Sequence, residues 1–321
     1  MLKIALGALA LTAATPTALA GGGTVHDLTV PSLASYLSPK PSRASTSTAP
    51  VSRENASVPP TAQGAAAEER SDRALVPLPS IFDFTGGEGW GIALGVGLEY
   101  EAAYDGSDEY ELEVDPAGAI QWRTGNNLFF FEGTELGWRG LFDERWLIQV
   151  GTRYESGLDP SDSEEGHLDG IAKRDSHLVG FVEARYALDD AWRNWIGGRV
   201  LAGESDFGAL GVLAAGHRFG DQTDGQGTEI YAFTTLGDSA FINKDFGVTA
   251  QDAAASGLAE TKLDSGYRSF GMQAIYRRQL TDDLQLITQA GFELYSSDIG
   301  DSPIARDDYE AELALAAVWR F

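Results

Sequence analysis

The chain contains no cysteine. That excludes a disulfide framework, a thiolate metal site and a cysteine-linked lipoprotein anchor, so nothing covalent staples the fold. It also lacks a long apolar run. The stretch at 4–14 is shorter than the roughly 20 residues of a spanning helix; Thr12 interrupts it, and Thr15 and Pro16 follow. Basic charge is scarce where it would matter: residues 79–321 carry 17 Lys/Arg against 43 Asp/Glu, while 21–78 hold five of each. So acidic a surface repels phosphate backbones, which excludes nucleic acid as a partner. Histidine is limited to His26, His167, His177 and His217, none in a nucleophile motif. Asp175 and Ser176 precede His177, but neighbours on a strand point to opposite faces and cannot form a triad. A barrel lipase or deacylase is therefore the least favoured function, and no enzymatic activity is expected.

What is present begins with an export signal. Met1, Leu2 and Lys3 form a positive head, an apolar segment follows, and Thr17-Ala18-Leu19-Ala20 supplies small residues for cleavage after Ala20, so 1–20 reads as a signal peptide. Residues 21–78 are rich in Ala, Ser, Thr and Pro and show no hydrophobic period. Such a composition buries too little surface to offset the entropy of ordering, and a disordered periplasmic arm is expected. As a flexible coil it would span on the order of 40 Å, enough reach for a tether or a docking segment.

The last stretch, 309–321, organises the rest. Leu313, Leu315, Ala317, Trp319 and Phe321 share one face, and Glu312, Ala314, Ala316, Val318 and Arg320 share the other. One face is greasy to the final residue, which suits a lipid solvent better than an exposed terminal strand in water. The same period recurs in 90–101, where Trp90, Ile92, Leu94, Val96, Leu98 and Tyr100 alternate with Gly91, Ala93, Gly95, Gly97, Glu99 and Glu101. Small opposing side chains there leave room for others to crowd the interior. Residues 146–155, 177–188 and 284–295 repeat the pattern, each with one polar, partly charged face. Fainter candidates are 110–123, 127–138, 194–203, 207–219, 229–236 and 267–279.

The expected fold is all-β, an antiparallel transmembrane β-barrel over 79–321 in the cell outer membrane. A soluble β-sandwich also alternates, but with shorter strands and less regular aromatic ends. The candidates number 11, whereas a single-chain bacterial barrel has an even count. The expectation is 12 strands, with 10 as the alternative and the error before Trp138, for example a short strand at 81–84. Counting back from the end puts 280–283, 188–193 and 141–145 on the periplasmic side and 156–176, 237–266 and 296–308 outside.

No cofactor or metal is expected. Asp159, Asp162, Glu164 and Glu165 crowd one outer loop, yet their spacing does not match a calcium hand; weak divalent bridging to lipopolysaccharide phosphates is the only metal chemistry they suggest. Residues 220–227 read as turn chemistry, because no helix follows to make a phosphate cradle. Arg153, Arg185, Arg199, Arg277, Glu183 and Glu293 face the interior and could pair across it, so a plugged lumen is expected over a narrow cation-preferring pore.

Three separated stretches carry a resemblance. They are Tyr104-Asp105-Gly106-Ser107-Asp108, then Phe246-Gly247-Val248-Thr249 with Ser256-Gly257-Leu258, then Asp301-Ser302-Pro303-Ile304 ahead of the closing strand. In order and spacing the chain resembles the MipA/OmpV family of Gram-negative outer-membrane proteins over about 80–321. The departure is Asp115-Pro116-Ala117, where a second proline is expected, which leaves the register of the second strand open. The resemblance implies a barrel without known catalysis. It implies either a scaffold holding a lytic transglycosylase near a murein synthase, or a surface protein of adhesion or environmental response. The scaffold is preferred for the reach of the arm, with Trp319 and Phe321 read as the signal to the barrel assembly machinery and outer-membrane lipid and lipopolysaccharide as surroundings.

Overall fold

A computed structural model describes residues 88–163, 165–220 and 226–321. The signal peptide, the arm and the 81–84 segment lie outside the described residues. Twelve strands follow one another antiparallel around a closed barrel: β1 (Gly89–Ala102), β2 (Tyr110–Thr124), β3 (Asn127–Glu132), β4 (Glu135–Phe142), β5 (Trp146–Glu155), β6 (His177–Ala187), β7 (Asn194–Ala202), β8 (Ala209–Phe219), β9 (Gly227–Gly237), β10 (Gly266–Gln279), β11 (Leu284–Tyr295) and β12 (Tyr309–Arg320). β12 pairs with β1, Trp319 opposite Leu94, so no edge is left open.

The twelfth strand comes from 127–138, which is two strands and not one. Gly133, with φ of 56°, lets the chain reverse in two residues between β3 and β4. At Pro116 the register does not slip: β2 pairs with β1 without interruption from Gly89–Arg123 to Ala102–Tyr110.

The alternation resolves into an outer lipid face and an inner packed one. Ile92, Leu94, Val96 and Leu98 of β1, Leu178 and Val182 of β6 and Leu313 and Leu315 of β12 are exposed on the outside. Aromatic clusters bound this belt at both rims. Trp90–Trp122 (6.3 Å), Trp122–Phe129 (5.4 Å) and Trp146–Tyr186 (4.8 Å) mark the periplasmic one, and Tyr100–Tyr110 (5.3 Å) the outer one. A closed barrel with an apolar belt between aromatic girdles satisfies every backbone group without water, and this is an outer-membrane barrel.

Inside, aromatic rings lie across glycines of the neighbouring strand. Phe130 pairs with Gly137, Phe181 with Gly151, Trp195 with Gly216 and Phe233 with Gly271. A methyl group added at Gly137 would sit 2.8 Å from the Phe130 ring, and at Gly151 2.9 Å from Phe181. The missing side chains make the space that the rings fill.

Candidate functional site

The interior is a lattice of charge and aromatic faces. Glu135 accepts from Arg199 at 2.7 Å and lies 3.6 Å from Arg153. Arg199 also stands 3.7 Å from Glu183 and 3.8 Å above the Phe181 ring. Glu183 holds Arg185, which lies over Trp195 at 4.8 Å; the Trp195 indole donates to Glu229 at 2.7 Å. Arg218 and Arg277 approach Glu229 at 3.3 and 3.9 Å. Of the interior charges expected to pair, Arg185 and Arg199 meet Glu183, from its own and the neighbouring strand rather than across the lumen, while Glu293, Arg153 and Arg277 find other partners: Arg268 for the first, Glu135 and Glu155 for the second, Glu229 for the third. A cavity lined by Glu183, Arg185, Trp195, Arg199 and Val212 has room for about one water.

The outer end is closed by loops. The β9–β10 connection, where the sequence predicts a loop, carries two helices, α1 (Ser239–Phe246) and α2 (Ala250–Ser256). Asp238 caps the first through Phe241 N; Thr249 and Asp252 form a capping box on the second, and Gly257, at φ 78°, ends it. A third helix, α3 (Ser297–Gly300), opens the β11–β12 loop.

The three motif stretches converge in this cap. Gly106, with φ of 74°, presents its carbonyl to Arg306 N at 2.7 Å and Asp307 N at 3.0 Å. The Ser302 hydroxyl donates to the Phe246 carbonyl at 2.6 Å, and His167 contacts the Pro303 carbonyl through Nε2 at 2.9 Å. Arg174 reaches the Gly247 carbonyl at 3.0 Å and Asp252 at 3.2 Å. Tyr104, Leu158, Leu168, Ile171, Val248 and Ile304 make a small core of their own, and Ser107 is fully buried. Asp301 remains exposed beside it.

Burial pushes the Tyr104 phenol up to about 12. Burial raises the Asp252 carboxyl too, but donation from Ala172 N, Thr249 Oγ1 and Thr249 N and the charge of Arg174 outweigh it, leaving the group below its usual value.

One buried arginine ties cap to barrel. A β-bulge in β10 between Tyr267 and Ser269 turns Arg268 inward, where it meets Glu293 at 2.6 Å and Asp105 at 2.7 Å. Sequence periodicity missed this residue because the bulge breaks the period. Lys244 pairs with Asp245 and lies over Phe207 and Phe241 at 5.7 and 5.2 Å, linking α1 to the β7–β8 loop.

The periplasmic rim is also held tightly. Among the described residues, the non-glycine positions with left-handed backbone, Asp143 (49°), Glu144 (57°) and Trp192 (52°), all lie in two adjacent turns. Trp192 is buried and donates to the Glu144 carbonyl at 2.8 Å, while Arg145 pairs with Asp190. Near the end of the chain Trp319 is exposed in the belt and Phe321 N donates to the Ile92 carbonyl at 2.9 Å.

His177 stands 4.0 Å from Asp206, and His217 contacts Asn194 at 2.7 Å. Asp159 pairs with Lys173, and no group of three or more acidic or histidine side chains converges as a metal site among the described residues.

A family model described as MltA-interacting protein MipA matches residues 94–321. No curated protein matches the sequence. Among solved structures, similar chains include the CymD monoaromatic hydrocarbon channel (9% identity, 73% of this chain and 88% of that one, TM-score 0.38). The Pseudomonas putida toluene transporter TodX (9%, 73% and 89%, 0.36) is another. So is a Pseudomonas aeruginosa FadL homologue (11%, 78% and 96%, 0.36).

Proposed function

The chain belongs to the MipA family, and from that premise we propose that it is a non-enzymatic barrel that binds partners in the periplasm, joining the outer membrane to a lytic transglycosylase and a murein synthase. The family's name, MltA-interacting protein, supports a partner of the first kind. The observation that carries the reading is the orientation of the motif residues. Tyr104, Ser107, Phe246, Val248, Ser302 and Ile304 are buried within the cap, where they bind loop to loop. A surface adhesin would display its distinguishing residues, and these are turned inward. The periplasmic turns, by contrast, form a stiff rim in which Trp192 and Arg145 fix two neighbouring loops. A rigid surface loses less entropy on binding than a mobile one.

The test is crosslinking in cells followed by capture of the full-length protein, beside a version lacking residues 21–78. Murein enzymes captured by the full-length chain support the scaffold. Their loss on deletion assigns the contact to the arm, and their retention assigns it to the rim. Absence of murein enzymes from both captures contradicts the reading and moves adhesion ahead.

A further inference from the structure

The ring of strands is closed, but its wall is not of even height. β2 has 15 residues, whereas β3 has 6 and β4 has 8, and the two short strands fall short at the outer end. Glu132, the last residue of β3, pairs with Ala119, so β2 runs on from 119 to 110 beyond its neighbour. Between β6 and β7 the corresponding offset is only from 180 to 177. The stagger of a tilted barrel accounts for an offset of the second size, not the first. Among the described residues, no strand pairs with 110–117 on the side away from β1. This leaves a notch between β2 and β5, roughly 14 Å across by strand spacing and about 26 Å along β2.

The sequence of β2 is fitted to that open side. The Glu109 carbonyl accepts from Ala103 N towards β1, and the Gly118 carbonyl accepts from Gly133 N towards β3. Backbone groups alternate in direction along a strand, so Leu112, Val114 and Pro116 turn theirs to the same side as Gly118. Pro116 has no N–H to offer there, and a proline on an open edge discourages addition of another strand. Side-chain exposure agrees: Val114 is 65% exposed, whereas Leu98 beside it on β1 is 43% exposed. Above the notch the β5–β6 loop crosses to the β1–β2 loop, where the Ser163 hydroxyl donates to Glu109 at 3.1 Å and Glu165 N donates to it at 3.3 Å.

Leu112, Val114 and Pro116 on one side, Phe131 and Leu136 below and Tyr154 opposite give the notch an apolar, outward-facing lining. That lining is continuous with the lipid belt, and Pro116 disfavours a strand as its occupant. The two loops above carry Asp108, Glu109, Asp159, Asp162 and Glu165, against Lys173 and Arg306. We propose that the notch holds a zwitterionic aminophospholipid, with an acyl chain along Leu112 and Val114 and the head-group ammonium among the acids of the rim. Arg306, exposed in the same rim 2.9 Å from Asp108 and 4.0 Å from Glu165, suits the single phosphate of such a head. An anionic lipid without an ammonium, lipopolysaccharide included, would set its phosphates against the acids with nothing to offset them. The inference does not rest on the periplasmic partner and stands or falls separately.

Native mass spectrometry of the full-length protein tests it, after equilibration in detergent with equal amounts of phosphatidylethanolamine, phosphatidylglycerol and lipopolysaccharide. Retention of one phosphatidylethanolamine per chain is expected. Val114→Trp, which fills the slot, should lower that retention about tenfold, and Val200→Trp, at an exposed belt position on β7, should leave it unchanged. Glu165→Gln lies outside the membrane and should reduce the preference for phosphatidylethanolamine over phosphatidylglycerol about twofold to fivefold. Folding of each variant is checked by heat-modifiable gel mobility. Equal retention of phosphatidylglycerol, preference for lipopolysaccharide, or equal effects of the two tryptophan variants overturns the proposal; if Val114→Trp does not fold, an unchanged preference in Glu165→Gln does so.

Discussion

The two sides of the lumen treat charge in opposite ways. From β4 to β9 the buried glutamates meet arginines, some of which also lie on an aromatic ring, as Arg199 does between Glu135, Glu183 and Phe181. Across the barrel, in the β1–β2 and β11–β12 pairs that flank the closure, glutamates face glutamates in a seam. The first arrangement fills space and fixes the wall, because removing either partner strands a buried charge. The second sets like charges across strand pairs, which repel unless neighbouring groups offset them.

The largest effect lies on the outer face of the seam. Replacing Trp319 with Asp, or deleting Phe321, puts charge into the belt or removes the terminal aromatic from the last strand to zip. We expect the protein to be degraded in the periplasm, and fractionation with immunoblotting reads this directly; normal outer-membrane levels would argue against an assembly role.

Next comes the paired side. Glu135→Ala strips the acceptor shared by Arg153 and Arg199, and unfolding by urea in lipid vesicles should show a loss of about 3–5 kcal/mol. The same assay on Glu312→Gln sharpens the contrast. Removing one of several like charges should leave stability within about 1 kcal/mol of the parent or raise it.

The smallest effect belongs to the cap. The Asp252 carboxyl is held below its ordinary value of 3.8, so its contribution is present at higher pH and is lost only as pH falls through that depressed value. Proteolysis of the loops by an acid-active protease should be equal at pH 5 and pH 7 and should rise below about pH 4. Asp252→Asn should remove that acid step.

Much of the wall was legible from the sequence because lipid and lumen select opposite residue types at a period of two. The hairpin at Gly133 was missed although it left a mark. Phe129 and Phe131 face out at odd positions, then Leu136 and Trp138 at even ones, and a change of phase within a run means a turn. The cap was less readable. α1 and α2 are eight and seven residues long, too short for a clear amphipathic period, and only the Thr249–Asp252 capping box advertised them. Which arginine meets which glutamate depends on barrel closure and on the bulge at Arg268, neither of which a linear pattern contains. The motif residues were placed on loops by sequence, but their convergence into one buried cluster is a property of the folded end.

The central claim is that this barrel is filled and capped, so that it works by binding rather than by conduction. Planar-bilayer recording of the purified full-length protein tests it most directly. The account predicts a quiet membrane without discrete steps. Stable, cation-selective steps would contradict it and make the glutamate seam the lining of a pore.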